Sequence, residues 1–240
     1  MSTCIEVKDL KKSFSKRMVV DNLSFCVKKG EVFGLLGHNG AGKSTTIDLI
    51  LGLKRADSGT GLIFGLEPYK NRKKIFERVG VQLQSCSYQN NIRVYELCEE
   101  MSSLYKEPED YNELLKIFSL DNLKKTQVNR LSGGERQKLS LALALINKPE
   151  IVFFDELTTG LDTAARHDVW KYLKELKNKG TTIFLTTHYM EEAESLCDRI
   201  LLLKNGAMVT QGTVKEVIDN SPYDKLENAY LWYMGEEITQ

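Results

Sequence analysis

The chain has 240 residues, with Lys+Arg and Asp+Glu both at 33, a formal net charge of +0 and 42 % hydrophobic residues. That length holds one large α/β domain or a core with an appended lobe, and the balanced charge gives no electrostatic case for a nucleic-acid partner. No apolar run approaches the ~20 residues that a membrane helix needs, so a soluble chain is predicted, with any membrane role coming through a partner. The N-terminus, Met1 to Lys12, has no signal-peptide core and reads as the start of folded structure. Five cysteines, Cys4, Cys26, Cys86, Cys98 and Cys197, are odd in number and nowhere spaced C-x-x-C. Scattered thiols in a reducing cytosol fit that pattern better than a disulfide framework or a zinc site.

Ile5-Glu6-Val7-Lys8-Asp9-Leu10 and Leu23-Ser24-Phe25-Cys26-Val27 alternate apolar and polar residues, as half-buried antiparallel strands do. Phe14 falls in the connection between them, flanked by Lys11, Lys12, Lys16 and Arg17; an aromatic there can pack on the sheet edge or stack on a nucleobase. Lys29-Gly30 is a turn leading into Val32-Phe33-Gly34-Leu35-Leu36, a short apolar run of the buried parallel type.

Then comes Gly37-His38-Asn39-Gly40-Ala41-Gly42-Lys43-Ser44-Thr45, which reads G-x-x-x-x-G-K-S. It sits between a strand and a helix with Ile47, Ile50 and Leu51 on one face, the context this motif requires. Glycines let successive backbone N–H groups turn toward phosphate oxygens. The helix N-terminus adds partial positive charge, Lys43 a mobile full charge, and Ser44 a hydroxyl for a phosphate-bound magnesium ion. The loop predicts binding of a nucleoside triphosphate.

Gly61 to Gly65 reads as a short strand, Lys70 to Glu77 as a basic helix, and Arg78 to Gln84 as another strand. Over about 87–147 the spacing is helical, in Val94 to Tyr105, Tyr111 to Phe118 and Glu135 to Ile146, which predicts an inserted helical lobe. The α/β rhythm resumes with the strand Ile151 to Phe154, a helix over Asp162 to Lys177, the strand Thr181 to Leu185 and a helix over Met190 to Leu196. Arg199 to Leu203 and Ala207 to Val209 flank Asn205-Gly206, a hairpin signal, and Thr213 caps a last short helix. The expected domain is 1–220. The remainder, 221–240, is a tail with Tyr223, Tyr230, Trp232 and Tyr233 that the pattern does not place.

Two further segments carry chemistry. Phe153-Phe154-Asp155-Glu156 is an apolar strand ending in paired acids at the carboxyl end of a sheet, where open α/β sheets bind ligands. Asp155 suits the metal's coordination shell and Glu156 the proton of an attacking water. Leu131-Ser132-Gly133-Gly134-Glu135-Arg136-Gln137 opens a long helix. It can be a simple cap, or a second anion site of unobstructed N–H groups that reaches a triphosphate across a dimer.

In this order, GHNGAGKST, LSGGERQ, IVFFDE, TTGLD and TTH resemble the ATPase subunit of an ATP-binding cassette (ABC) transporter, over about Ile5 to Gly212. The resemblance implies a P-loop NTPase core with a mixed sheet, an N-terminal antiparallel β-subdomain and the helical lobe. It implies that Lys43 and the loop amides hold the β- and γ-phosphates of ATP, and that Ser44, Gln84 and Asp155 serve Mg2+. Gln84 also matches the family's switch between strand and helical lobe. Glu156 matches the catalytic base, His188 the γ-phosphate sensor, and Asp162 the loop that crosses the dimer. Ser132, Gly133 and Gly134 would cap the γ-phosphate held by the other subunit, and Phe14 would stack on adenine in place of the usual Tyr. Two positions depart from the pattern: Leu157 replaces a common proline and Leu143 a frequent arginine. The run from His188 to Ile200 is similar to subunits of bacterial drug, lipid or polysaccharide exporters. The implied partners are a second ATPase subunit and a transmembrane permease, with the chain cytoplasmic and peripheral on the inner face of the membrane. The alternative is a soluble relative acting on nucleic acid or ribosomes. Such chains usually carry two cassettes, a zinc insertion or a coiled coil, and this one has one cassette.

Overall fold

The computed structural model describes residues 2–83 and 88–236. β1 (Thr3–Phe14) and β2 (Arg17–Lys28) form an antiparallel hairpin in which Phe14 pairs with Arg17. Ser15 and Lys16, both at positive φ, make its two-residue turn. Both strands run longer than the alternation alone predicts, so Phe14 ends β1 rather than lying in a loop. β4 (Ser58–Ile63) pairs antiparallel on the other side of β1, which gives a three-stranded sheet in the order β2-β1-β4.

The second sheet has six strands in the order β5-β6-β7-β3-β8-β9. β3 (Val32–Leu36), β5 (Val79–Gln82), β6 (Ile151–Asp155), β7 (Thr182–Thr187) and β8 (Arg199–Lys204) run parallel, and β9 (Ala207–Thr213) returns antiparallel on β8. β3, β6 and β7 are buried along their whole length, as expected of parallel strands covered on both faces. The chain is therefore an α/β protein with a mixed sheet and a separate N-terminal antiparallel sheet.

Side chains alternate across the large sheet. On one face Ile151, Phe153, Phe33, Leu35 and Phe184 join Val7, Val20 and Phe25 of the small sheet and Ile47 and Ile50 of α1 (Lys43–Ile50). Phe25 and Phe33 stack at 5.2 Å between centroids, and Phe153 meets Phe184 at 5.2 Å. On the other face Val152, Phe154 and Ile183 pack with the helices α3 (Val94–Ser103), α4 (Tyr111–Ile117), α5 (Gly133–Leu145) and α6 (Thr163–Asn178). Both departures from the family pattern are buried here: Leu157 lies wholly inside this cluster and Leu143 lines its boundary with β5. A basic helix, α2 (Pro68–Phe76), precedes β5, and α7 (Met190–Leu196) follows β7.

The tail takes a definite place. After α8 (Val214–Asp219), capped by the Thr213 hydroxyl, the chain forms α9 (Leu226–Met234). Leu226, Tyr230 and Met234 pack with Leu36, Ile200, Leu202 and Ala193 in a third cluster at the end of β3 and β8.

Candidate functional site

The site is built at the carboxyl ends of β3, β6 and β7. Their register places Asp155 opposite Thr186, and Leu36 opposite Thr187, so three chain ends emerge side by side. From β3 the loop Gly37 to Gly42 curls into α1. Gly42 has φ 109°, a conformation that costs other residues dearly, and a Cβ there would lie 2.5 Å from Val19 O. At Gly37 a Cβ would lie 2.6 Å from Leu203 O, so the loop is packed against its neighbours on both sides.

Lys43 opens α1 and folds back over the loop. Its buried Nζ donates to Gly37 O at 2.9 Å and His38 O at 3.2 Å, and stands 3.5 Å from Glu156 Oε1. Glu156 follows β6 at φ 53°, in the left-handed region. Its N–H donates to Thr186 Oγ1 at 3.0 Å, which fixes the strained residue so that its carboxylate faces Lys43. His188 Nδ1 approaches the same Oε1 at 3.7 Å. Asp155 is buried and accepts a 2.5 Å hydrogen bond from Thr186 Oγ1. An open cavity of about 380 Å³ is lined by Val19, Asn39, Gly40, Gly42, Lys43, Ser44, Thr45 and Glu156. The structure thus brings Glu156, Lys43 and His188 together beside the glycine loop.

Other predicted residues lie around this centre. Ser132 caps α5: its Oγ accepts from Glu135 N at 3.2 Å while Glu135 Oε2 accepts from Ser132 N at 2.7 Å, a reciprocal box. The Ser132 N–H donated to its carboxylate, with the Ser132 side chain beside it, holds the Glu135 carboxyl below its usual range. Neither Ser132, Gly133 nor Gly134 lines the Lys43 cavity. Gly134 instead approaches Gly160 O, 3.4 Å from where a Cβ would stand, and nothing lies within 4 Å of a Cβ at Gly133. Asp162 is exposed and caps α6 by accepting from Ala165 N at 2.9 Å. Phe14 sets its ring between Lys12 Nζ at 5.3 Å and Lys54 Nζ at 5.6 Å, and it too is absent from the cavity lining. Gln84 lies outside the described residues.

Sequence reasoning missed three contributors. Thr186 positions both acids, Val19 walls the cavity, and Gln137 Nε2 donates to Leu157 O at 2.7 Å, tying α5 to the segment after Glu156. Thr186 stands in the TTH segment and Gln137 in LSGGERQ, but these contacts, like the place of Val19 in the cavity wall, arise from neighbouring elements and cannot be read from the local pattern.

The family model for ABC transporters matches residues 20–159, more than half of the chain. The chain belongs to the ABC transporter family. The Nod factor export ATP-binding protein I of Cupriavidus metallidurans is 40 % identical over 227 residues, covering 92 % of this chain and 74 % of that protein. A solved ATP-binding subunit of an ABC transporter superposes with a TM-score of 0.89 at 28 % identity, covering 97 % of this chain and 100 % of that one. A bacterial ABC transporter cassette solved as a dimer gives a TM-score of 0.79 at 25 % identity, covering 88 % of this chain and 98 % of that one. The chain is an ATP-binding ABC ATPase. Among the described residues no helix is long and apolar enough to cross a membrane.

Proposed function

We propose that this ABC ATPase powers an exporter: two copies close around two ATP molecules, and hydrolysis resets a separate transmembrane permease on the inner face of the membrane. The observation that carries the hydrolytic part is the meeting of Glu156, Lys43 and His188 within 3.7 Å at the mouth of the glycine loop. ATP would enter with its phosphates against the amides of Gly37 to Thr45. Phosphate oxygens would then take over Lys43 from Gly37 O, His38 O and Glu156. Glu156, released from Lys43, would accept the proton of the attacking water, and His188 would hold the γ-phosphate on the other side. Phe14 would stack on the adenine by turning from Lys54.

Among the described residues no group of three His, Cys, Asp or Glu could cage a metal. That fits Mg2+, which binds through one or two carboxylates with substrate phosphates and water. Ser44 and Asp155, with Gln84, would hold the ion, which would supply positive charge against the negative charge developing on the phosphates.

The dimer reading rests on Gly133. The fold itself has room for a side chain there, so nothing within the described subunit calls for glycine, which supports a close approach from outside it. Ser132 to Gly134 would reach the triphosphate of the second copy, with Asp162 alongside. The export direction and the permease are supported by the 40 % identity to an export ATP-binding protein.

Gly133→Glu tests this. A carboxylate in the first turn of a helix is stabilising, but it repels a partner's triphosphate. The variant should keep its melting temperature and its ATP affinity as a monomer while losing ATP-dependent dimerisation and turnover. Wild-type turnover would sink the proposal of a shared site.

A further inference from the structure

His188 is given the γ-phosphate in the function proposed above, yet no hydrogen bond fixes its Nδ1. That atom is buried and has no hydrogen-bond partner among the described residues, with Glu156 Oε1 3.7 Å away. The next residue in the chain does touch the ring. His188 and Tyr189 meet at 4.1 Å between ring centroids, tilted by 38°. The Tyr189 backbone is itself fixed where β7 passes into α7. Its N–H donates to Thr187 Oγ1 at 2.9 Å, and its carbonyl accepts from Ala193 N at 3.3 Å.

Tyr189 in turn meets a cation from α6. The central carbon of the Arg166 guanidinium lies 4.8 Å from the centre of the Tyr189 ring, close enough for a cation to be drawn to a ring face. Arg166 Nε is buried with no hydrogen-bond partner among the described residues. Arg166 belongs to the first turn of α6, and its N–H donates to Asp162 O at 2.9 Å. Asp162 is the residue placed above in the loop between subunits. One turn further along α6, Trp170 Nε1 donates to Glu192 Oε1 of α7 at 3.1 Å. Two bridges, Arg166 to Tyr189 and Trp170 to Glu192, therefore join the start of α7 to consecutive turns of α6.

We infer that Arg166 and Tyr189 form a positioning pair that braces the His188 ring against the first turn of α6. A ring packed against another loses rotamer freedom, so the contact with Tyr189 narrows the directions in which His188 points. The charge on Arg166 holds Tyr189 in the rotamer that makes this contact. Neither residue lines the Lys43 cavity, so both act on the phosphate through His188. The brace also begins beside the dimer loop: a partner that moved Asp162 would move the turn on which the stack of rings rests.

This inference rests on His188 acting in hydrolysis as proposed above. Tyr189→Leu removes the ring, and Arg166→Met removes the cation while keeping an unbranched side chain. Each should lower kcat by about three- to thirtyfold, the factor to which a cation–π contact corresponds, while KM for ATP stays near wild type. Tyr189→Phe keeps the ring and should keep kcat. The double variant should lose no more than the worse single one, because both substitutions break one brace. Lys171→Met, which removes a cation from an exposed position on the same helix, should leave kcat unchanged. ATP-dependent dimerisation should persist in every variant. Additive losses in the double variant, or a wild-type kcat in Arg166→Met, would overturn the inference. So would equal losses in Tyr189→Phe and Tyr189→Leu. Loss of dimerisation in Arg166→Met would place Arg166 in the contact with the partner and overturn it as well. If Tyr189→Leu folds poorly, Arg166→Met and Tyr189→Phe carry the test. Wild-type turnover in His188→Ala would instead overturn the functional reading beneath it.

Discussion

Glu156→Gln removes a carboxylate that stands 3.5 Å from Lys43 Nζ and 3.7 Å from His188 Nδ1, and it keeps the shape of the side chain. At 3.5 Å and an effective dielectric of about 20, two unit charges attract by roughly 5 kcal/mol. Both groups are buried, so part of this offsets the cost of taking them out of water. Lys43 keeps Gly37 O and His38 O as acceptors in the variant. The nucleotide-free fold should therefore lose about 2–3 kcal/mol, below the usual range for an orphaned buried charge, or about 5–10 °C in Tm for a chain of this size.

Nucleotide binding should move the other way. In the wild-type chain the triphosphate competes with Glu156 for the charge on Lys43, and in the variant that competitor is gone. ATP affinity should rise, while turnover falls by about 10²–10⁴-fold with the loss of a general base. Thermal melts with and without ATP, calorimetry and phosphate release measure the three effects separately. Hydrolysis at the wild-type rate would refute the role given to Glu156. An unchanged melting temperature without nucleotide would refute the ion pair as a source of stability.

Two other substitutions probe the surroundings. Burial is the largest influence on Glu192 and raises its pKa above the ordinary 4.5, partly offset by the hydrogen bond from Trp170 Nε1 and by the charge of Arg166. The fold thus prefers the protonated acid; the stability this supplies is full below about 4.5 and is lost as pH rises through the folded value. Glu192→Gln retains an oxygen for Trp170 Nε1 and never ionises. Its melting temperature should exceed that of wild type at mildly alkaline pH, and the two should converge in acid; a constant difference across pH would contradict this. Phe14→Ala should weaken ATP binding by about 1–3 kcal/mol, the worth of one base stacked on an aromatic ring, and leave binding of inorganic triphosphate unchanged. An equal loss for both ligands would place the effect in the packing of Lys12 and Lys54 around the ring.

What could be read from the sequence was whatever the backbone dictates locally. Gly37 to Thr45 declares itself because a phosphate-binding turn needs glycine at positive φ followed by a helix start. Ser132 and Glu135 declare a cap because the reciprocal bonds span three residues. Asn205-Gly206 declares a hairpin for the same reason. α9 was not legible. Leu226, Tyr230 and Met234 share a face, but Leu231, Trp232 and Tyr233 between them blur the stripe. Their partners Leu36 and Leu202 are remote in sequence. Leu143 and Leu157 looked like departures from a pattern. The structure shows both inside apolar surroundings, where leucine is the chemically ordinary choice.

The register of the parallel strands decides which of these local features become a site. Thr186 can bond both Asp155 Oδ1 and Glu156 N only because β7 lies beside β6 with Asp155 level with Thr186. Lys43 can meet Glu156 only because β3, on the far side of β7, ends level with Thr187. A one-residue slip of β6 would turn every side chain of that strand to the other face. The packing of Phe33, Phe153 and Phe184 opposes such a slip, because Phe184 lies between the other two and contacts both. The aromatic core beneath the site therefore helps to hold the distance between Lys43 and Glu156, although none of its rings lines the Lys43 cavity.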